Sequence, residues 1–471
     1  MDTLPRRDAL KAVASAVAAP LALAPAAPRA QPANVVERAA RRPLFGAVEW
    51  RLANGLRVVL AENRRAPVAA HYLYIGAGAG EDPAGKSGVA HFLEHFMFKG
   101  SPAVPSGAFS RVVANEGGQD NAFTSRDVTA YFQIVEASRL PLMMRMEADR
   151  LAAPLLPADE VEPERGVIIE ERRQRTDAVP RGRFREAFDA AMWGPQHWRG
   201  RPLIGWLDEI RAITREDMAA FHARHYAPEN AVLVVAGDVR EADLRRWSDE
   251  FYGAAPARPA PRGNFGTRDR AAPPAQPHEA RILRRDPGVR ESSFVRAMGA
   301  PSVTWSGFGG TMEMADPLDV LAHLFGGGPG SRLHTALVES GLCVSAGCEY
   351  DGEVPGPGTF GLFATPRPGV TPERVEEVIN AELARLLDGG ATEAEVARSV
   401  RQMTAGALLA LDGLGAAPRM IGGSMAIGLP LSDVEHWPER MASVTRDQVN
   451  AAARAVLGPR HLDTTGWLIP A

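Results

Sequence analysis

The sequence predicts an α+β protein of two homologous domains, each a mostly antiparallel sheet covered by helices. Three observations lead there. A chain of 471 residues, 45% of them hydrophobic, is long enough for about two to four folding units with real cores. A stretch from 255 to 280 carries Pro256, Pro259, Pro261, Pro273, Pro274 and Pro277 and reads as an extended linker. The segments on its two sides follow a similar order of opening strands, a helix, an edge strand, further helices and a closing strand. The expected domains are therefore 40–254 and 281–471, joined by the linker 255–280.

The first 30 residues are set apart from the fold. Arg6-Arg7-Asp8-Ala9-Leu10-Lys11 precedes an apolar run from Ala12 to Ala24, and Ala24-Pro25-Ala26 offers an A-x-A cleavage site, with Ala30 as a second candidate end. This is the layout of a twin-arginine-like export signal, and it predicts a bacterial periplasmic location. A general secretory signal or a retained anchor are the alternatives. Beyond that segment no run is long and apolar enough to span a bilayer. A net charge of −4 leaves no electrostatic footprint for nucleic acid.

A helix is predicted from Gly88 to Lys99, with Ser87 as N-cap and Gly100 at its C-terminal end. Within it stands His91-Phe92-Leu93-Glu94-His95. Histidines four apart share one helical face and reach one metal ion. Glu94, on the same side, can reach a water on that metal. This is the inverted order of the H-E-x-x-H helix of zinc peptidases. A catalytic zinc needs a third protein ligand and one open position. The best source is the helical segment from Glu164 to Glu171, where those two carboxylates lie two turns apart on one face while Glu170 points elsewhere.

The H-x-x-E-H motif, followed 76 residues later by the second Glu of an E-x6-E helix, resembles the pitrilysin/insulinase superfamily, which includes the mitochondrial processing peptidases. Asn54-Gly55-Leu56-Arg57-Val58-Val59 resembles its opening strand. Gly117-Gly118, Asn121-Ala122-Phe123-Thr124 and Tyr131 resemble its substrate-side edge. Further likenesses are His197, Pro202 and Ile204-Gly205-Trp206, then Tyr226-Ala227-Pro228, Asn230 and Val235-Ala236-Gly237-Asp238, and finally Gly326-Gly327-Gly328 with Ser331-Arg332-Leu333. The resemblance runs from about 45 to 465.

The resemblance implies a zinc-dependent endopeptidase with one Zn2+ per chain on His91, His95 and Glu171. Glu94 would be the general base and Glu164 a second acid beside the site. Asn121, Ala122 and Phe123 would lie on the edge strand to which a peptide adds as a further strand. A complete enzyme of the family has four such domains, so a chain with two resembles half of a clam-shaped dimer. Active members commonly carry an Arg and a Tyr that hold the substrate carbonyl, and here Val338 and Val344 stand at those positions. That departure implies a heterodimer with a zinc-less homologous chain supplying the pair. Arg332 is a weaker substitute donor, better placed in the Gly-rich turn. The alternative is a zinc-retaining binding or assembly subunit with weak or no catalysis.

An internal alignment supports the two-half reading. With Gly328 laid over Gly100, Asp319, Ala322 and His323 fall opposite His91, Glu94 and His95. With Glu395-Val396 laid over Glu160-Val161, Ser399 and Gly406 fall opposite Glu164 and Glu171. The second domain therefore reads as a repeat with the metal site erased. Residues 358–364 read as a strand, and Thr371 to Leu387 and Thr392 to Leu411 as helices. Cys343 and Cys348, five apart along a strand, are expected on opposite faces and unbridged.

Overall fold

The computed structural model describes residues 43–257, 273, 278–411, 413–458 and 462–471. The expected export segment and nearly all of the expected linker lie outside the described residues.

The first half opens with a hairpin, β1 (Val48–Arg51) and β2 (Arg57–Glu62), and β3 (Val68–Ile75). Helices α1 (Val89–Phe96) and α2 (Ala108–Asn115) lead to a second hairpin, β4 (Gln119–Thr124) and β5 (Thr129–Glu136). Five helices follow: α3 (Leu140–Ala152), α4 (Val161–Arg172), α5 (Pro180–Trp193), α6 (Leu207–Ala212) and α7 (Arg215–His225). Strand β6 (Ala231–Gly237) and helix α8 (Glu241–Tyr252) close the half. The sheet order is β1-β2-β6-β3-β5-β4. Only β2 and β6 run parallel; every other pairing is antiparallel. Strand β6 reads Ala-Val-Leu-Val-Val-Ala-Gly and is buried at every position, as a central strand covered on both faces must be.

The second half repeats this plan. Its strands are β7 (His278–Asp286), β8 (Ser293–Ala300), β9 (Cys343–Asp351), β10 (Gly358–Pro366) and β11 (Leu462–Pro470), in the order β7-β11-β8-β10-β9. Again the closing strand is inserted parallel to the opening one, and the other pairs are antiparallel. Without the hairpin strand β1, the two orders match strand for strand. Helix α9 (Ala315–Gly326) stands where α1 does, between the second and third strands of the plan. Helices α10 (Pro372–Gly389), α11 (Glu393–Ala410), α12 (Ala416–Met425), α13 (Leu431–Glu435), α14 (Trp437–Ser443) and α15 (Arg446–Leu457) fill the last connection. Helix α11 begins on a reciprocal cap between Thr392 and Glu395. Helix α9 packs on α11 and α15 as α1 packs on α4 and α7.

The helices of each half cover one face of its own sheet. The opposite face is covered by a helix from the other half. Ala417, Ile421 and Met425 of α12 pack on Val59, Tyr72, Tyr74 and Val234 of the first sheet. Phe184, Phe188 and Met192 of α5 pack on Ala297, Leu462 and Leu468 of the second. A glycine lets the backbone in close at each contact. A Cβ at Gly422 would sit 2.1 Å from Tyr74 Cε2, and one at Gly466 would sit 2.7 Å from Phe184 Cζ. A third tie crosses the halves near the start of the described chain. The buried Glu435 carboxylate accepts backbone hydrogen bonds from Phe45, Gly46 and Ala47 at 2.7, 3.1 and 2.7 Å.

The cysteine expectation needs a correction. The two are unbridged as expected, but both are buried in the same core, not on opposite faces. The register of β9 against β10 shifts so that Pro366 faces Cys343 while Thr365 faces Ser345. This bulge inserts Val344 as an extra residue and inverts the alternation between the two cysteines.

Because overpacking against a fixed sheet costs about 1–3 kcal/mol, Gly422→Val should lower the free energy of unfolding by that order, read from guanidinium melts. An Ala or Ser substitution on the exposed face of α10 should not. A Gly422→Val protein with wild-type stability would contradict the close approach of α12.

Candidate metal centre and active site

Helix α1 is held by a residue the sequence reading missed. Ser87 was the expected N-cap, but its hydroxyl instead accepts from the Trp206 amide at 2.9 Å. The carboxylate of Asp82 reaches over to accept from the amides of Gly88 and Ala90 at 2.7 and 3.0 Å. Gly88 adopts φ +95° there, and a Cβ would strike the Ile204 carbonyl at 2.2 Å. The helix is shorter than predicted. After Phe96 the amides of Phe98 and Lys99 turn back to carbonyls three residues earlier, and Gly100 follows at φ +107°.

This seat places His91 and His95 side by side, ring centroids 4.8 Å apart. Helix α4 supplies the other wall. It is pinned by two buried arginines seven residues apart. Arg165 donates to the Ile210 carbonyl and lies over the Phe92 ring. Arg172 donates to the Gly205 carbonyl and pairs with Glu186. Between these anchors, Glu171 Oε2 comes to 3.5 Å from His91 Nε2 and 3.3 Å from His95 Nε2. Glu164 Oε1 meets His95 Nδ1 at 2.7 Å. Ligand atoms of His91, His95 and Glu171 all lie within 4.8 Å of one another.

The other oxygens of Glu171 and Glu164, and one oxygen of Glu94, are each bound by a donor. Arg175 holds Glu171 Oε1 at 2.9 Å. Lys99 holds Glu164 Oε2 at 2.6 Å and also reaches Glu160 at 3.1 Å. Thr124, at the end of β4, donates to Glu94 Oε2. Neither Lys99, Arg175 nor Thr124 was given a role at the site by sequence; only the fold brings them to these carboxylates.

The electrostatics follow from burial and from these contacts. Burial, reinforced by neighbouring His95, lowers the His91 pKa to about 4 and keeps its ring neutral. Burial also pulls on His95, but hydrogen bonds to Glu164 and Glu171 outweigh it and lift that ring to about 9. Glu164 falls to about 2, chiefly through its bond to His95, with Lys99 adding to it against partial burial. Burial raises Glu94 to about 7 against the opposing Thr124 hydrogen bond.

The donor set fits a tetrahedral cation. With metal–nitrogen and metal–oxygen bonds of about 2.0–2.1 Å, ligand atoms around a zinc are separated by about 3.3 Å. The two nitrogen–oxygen separations at Glu171 match that edge. Two imidazoles and a carboxylate are also the ligand types zinc takes at a site with an open position.

The predicted substrate residues fall on the open edge of the first sheet, since β4 ends the strand order. Asn121 Oδ1 accepts from the amide of Ala122. Ala122 turns into the core beneath α1, and Phe123 sits edge-on to Tyr74 on the other face. In the second half Val338 packs on the core and Val344 is 53% exposed. The Arg332 guanidinium is committed to Glu395 and to the Gly390 carbonyl, so its role is in the Gly-rich turn. Asp319, Ala322 and His323 recur on α9, and Ser399 and Gly406 on the adjoining α11.

A doubled α+β plan with an H-x-x-E-H helix in one copy defines a class, the inverted-motif zinc peptidases. Comparison with known proteins narrows it. Residues 57–204 match the family model for insulinase, peptidase family M16, and residues 212–403 match the M16 inactive domain. An uncharacterized zinc protease of Streptomyces coelicolor is 30% identical over 87% of this chain and 87% of its own length. The crystal structure of a protease from Helicobacter pylori superposes with TM-score 0.79 at 24% identity, covering 91% of this chain and 100% of that one. The periplasmic protease PqqL from Escherichia coli matches with TM-score 0.72 at 20% identity, over 90% of this chain but 48% of that one. The chain belongs to peptidase family M16, in the pitrilysin/insulinase superfamily.

The cap on α1 gives a pH-dependent expectation. Burial raises the Asp82 pKa from 3.8 to about 7, against the two amide hydrogen bonds and Arg201. The folded protein therefore holds this proton more tightly than the unfolded chain. The stabilisation is full below pH 4 and is lost as pH rises through about 7. The stability difference between Asp82→Asn and wild type should shift toward the variant over that window, by urea melts at stepped pH. A difference independent of pH would refute it.

Proposed function

We propose that this chain is a zinc-dependent endopeptidase that cleaves peptides or unfolded segments, with His91, His95 and Glu171 holding the ion. The observation that carries this reading is the approach of one Glu171 oxygen to both Nε2 atoms at the spacing of a tetrahedral edge. When bound, the metal would polarise a peptide carbonyl and acidify the attacking water. Glu94 takes the proton from that water and returns it to the leaving amine. Glu164 fixes the His95 ring through Nδ1, so that Nε2 is the nitrogen presented to the ion. Asn121, Ala122 and Phe123 offer the unpaired edge of β4 to an extended peptide. Backbone pairing of that kind selects for extended chain rather than for sequence.

Val338 and Val344 offer no side-chain donor to a substrate carbonyl at the two positions where the family commonly has Arg and Tyr. The chain is therefore proposed to act as the zinc-bearing half of a heterodimer, with a zinc-less homologous chain supplying an Arg and a Tyr. Residues 1–30 direct it to the bacterial periplasm on this reading, and the similar Escherichia coli protease is described as periplasmic. The opposing reading, a zinc-retaining binding subunit, rests on the same two valines.

Glu94→Gln separates the two. The variant should keep one zinc per chain by elemental analysis while cleavage of an internally quenched peptide falls about 100-fold or more. Zinc binding with no cleavage by wild type, alone or with its partner, favours the binding subunit. Full turnover by the purified chain as a homodimer would remove the need for a partner. Lys99→Met should weaken zinc retention about 10- to 100-fold in chelator competition, through Glu164 and His95.

A further inference from the structure

We infer that Thr124 is a positioning residue for Glu94, fixing the carboxylate so that its free oxygen is the one that handles the proton. This rests on the peptidase reading above. The Thr124 hydroxyl donates to Glu94 Oε2, and Thr124 is only 9% exposed. Glu94 is the nearer of its two side-chain partners. The hydroxyl of Thr129, its cross-strand partner, lies 3.5 Å away. Thr129 is fully buried and spends its own proton on the Ala77 carbonyl at 3.0 Å. Thr129 thus stands on the far side of Thr124 at the limit of hydrogen-bond reach, and the short bond is the one to Glu94. A β-branched side chain in a strand has few χ1 options, so the donor stays aimed without help from substrate. A glutamate with three side-chain torsions is thereby held at one oxygen, and Oε1 is left to take the proton.

The placement also links two parts of the site. Thr124 is the last residue of β4, the strand whose Asn121, Ala122 and Phe123 are proposed to pair with the peptide. One six-residue segment thus sets both where the scissile bond lies and where the base points. A shift of β4 along β5 would misplace both together. A carboxylate free to rotate would still neutralise the site but would abstract the proton less often from the right position.

The test compares Thr124→Val, which keeps shape and β-branching but loses the hydroxyl, with Thr124→Ser, which keeps the hydroxyl. Each is assayed as the full chain, under the conditions in which wild type cleaves an internally quenched peptide. Zinc content and melting temperature are measured alongside. Thr124→Val should lose about 10- to 100-fold in kcat with KM within about twofold. Zinc content should be unchanged, and Thr124→Ser should recover to within about fivefold of wild type. Wild-type kcat in the Val variant overturns the inference. So does a loss that Ser does not recover, or one that appears in KM or zinc content instead. A wild-type protein that binds zinc yet cleaves nothing sinks the peptidase reading and the positioning role with it; that result shows in wild type alone and is distinct from failure of the Thr124 comparison.

Discussion

Everything at the candidate centre depends on one approach: the Glu171 carboxylate of α4 against the two Nε2 atoms of α1. Histidines one turn apart supply two donors on one side of a cation and nothing on the other. The missing wall must come from a distant helix held at a fixed height and rotation. Arg165 and Arg172 provide that hold, each tied to a backbone carbonyl outside α4, with Glu171 one residue before the second anchor. A buried guanidinium is costly unless its donors are satisfied. The helix therefore has few alternative positions that keep both arginines bonded.

A common rule orders the three acids. Each presents one oxygen to the histidines or to the space beside them, and each has its other oxygen bound by a donor of graded strength. Glu171 has Arg175, Glu164 has Lys99, and Glu94 has the neutral hydroxyl of Thr124. The grading suits the tasks proposed for them. A ligand and a ligand-orienting acid must stay ionised, and a cation beside each keeps them so. A base must be able to gain a proton, and a neutral donor orients it without opposing that gain as strongly.

Much of this was legible in the sequence, and the limits are instructive. The two-half plan, the H-x-x-E-H helix and the pairing of Glu164 with Glu171 were visible because helical spacing alone puts those residues on one face. The end of strand β6 was marked only by the family likeness of Val235-Ala236-Gly237-Asp238. Asp82 was not visible, because a cap six residues upstream depends on how the intervening loop folds back, and Ser87 offered the more local choice. Lys99, Arg175 and Thr124 read as ordinary surface or strand residues until the tertiary fold gave each a carboxylate. The two cysteines were misassigned by counting alternation through a bulge, which no periodicity reveals. The expectation of helices over each sheet held, but nothing in either half's own sequence says that the far face is covered by the other half.

That exchange has a consequence for how the duplicated chain stays together. Each half contributes a rod to its neighbour's unfinished surface, so the pair is interlocked like two clasped hands. The packing of these rods, and not the covalent bridge alone, joins the halves. Severing the bridge after folding would leave a tight complex, whereas translating either piece by itself would yield a layer with a bare greasy side.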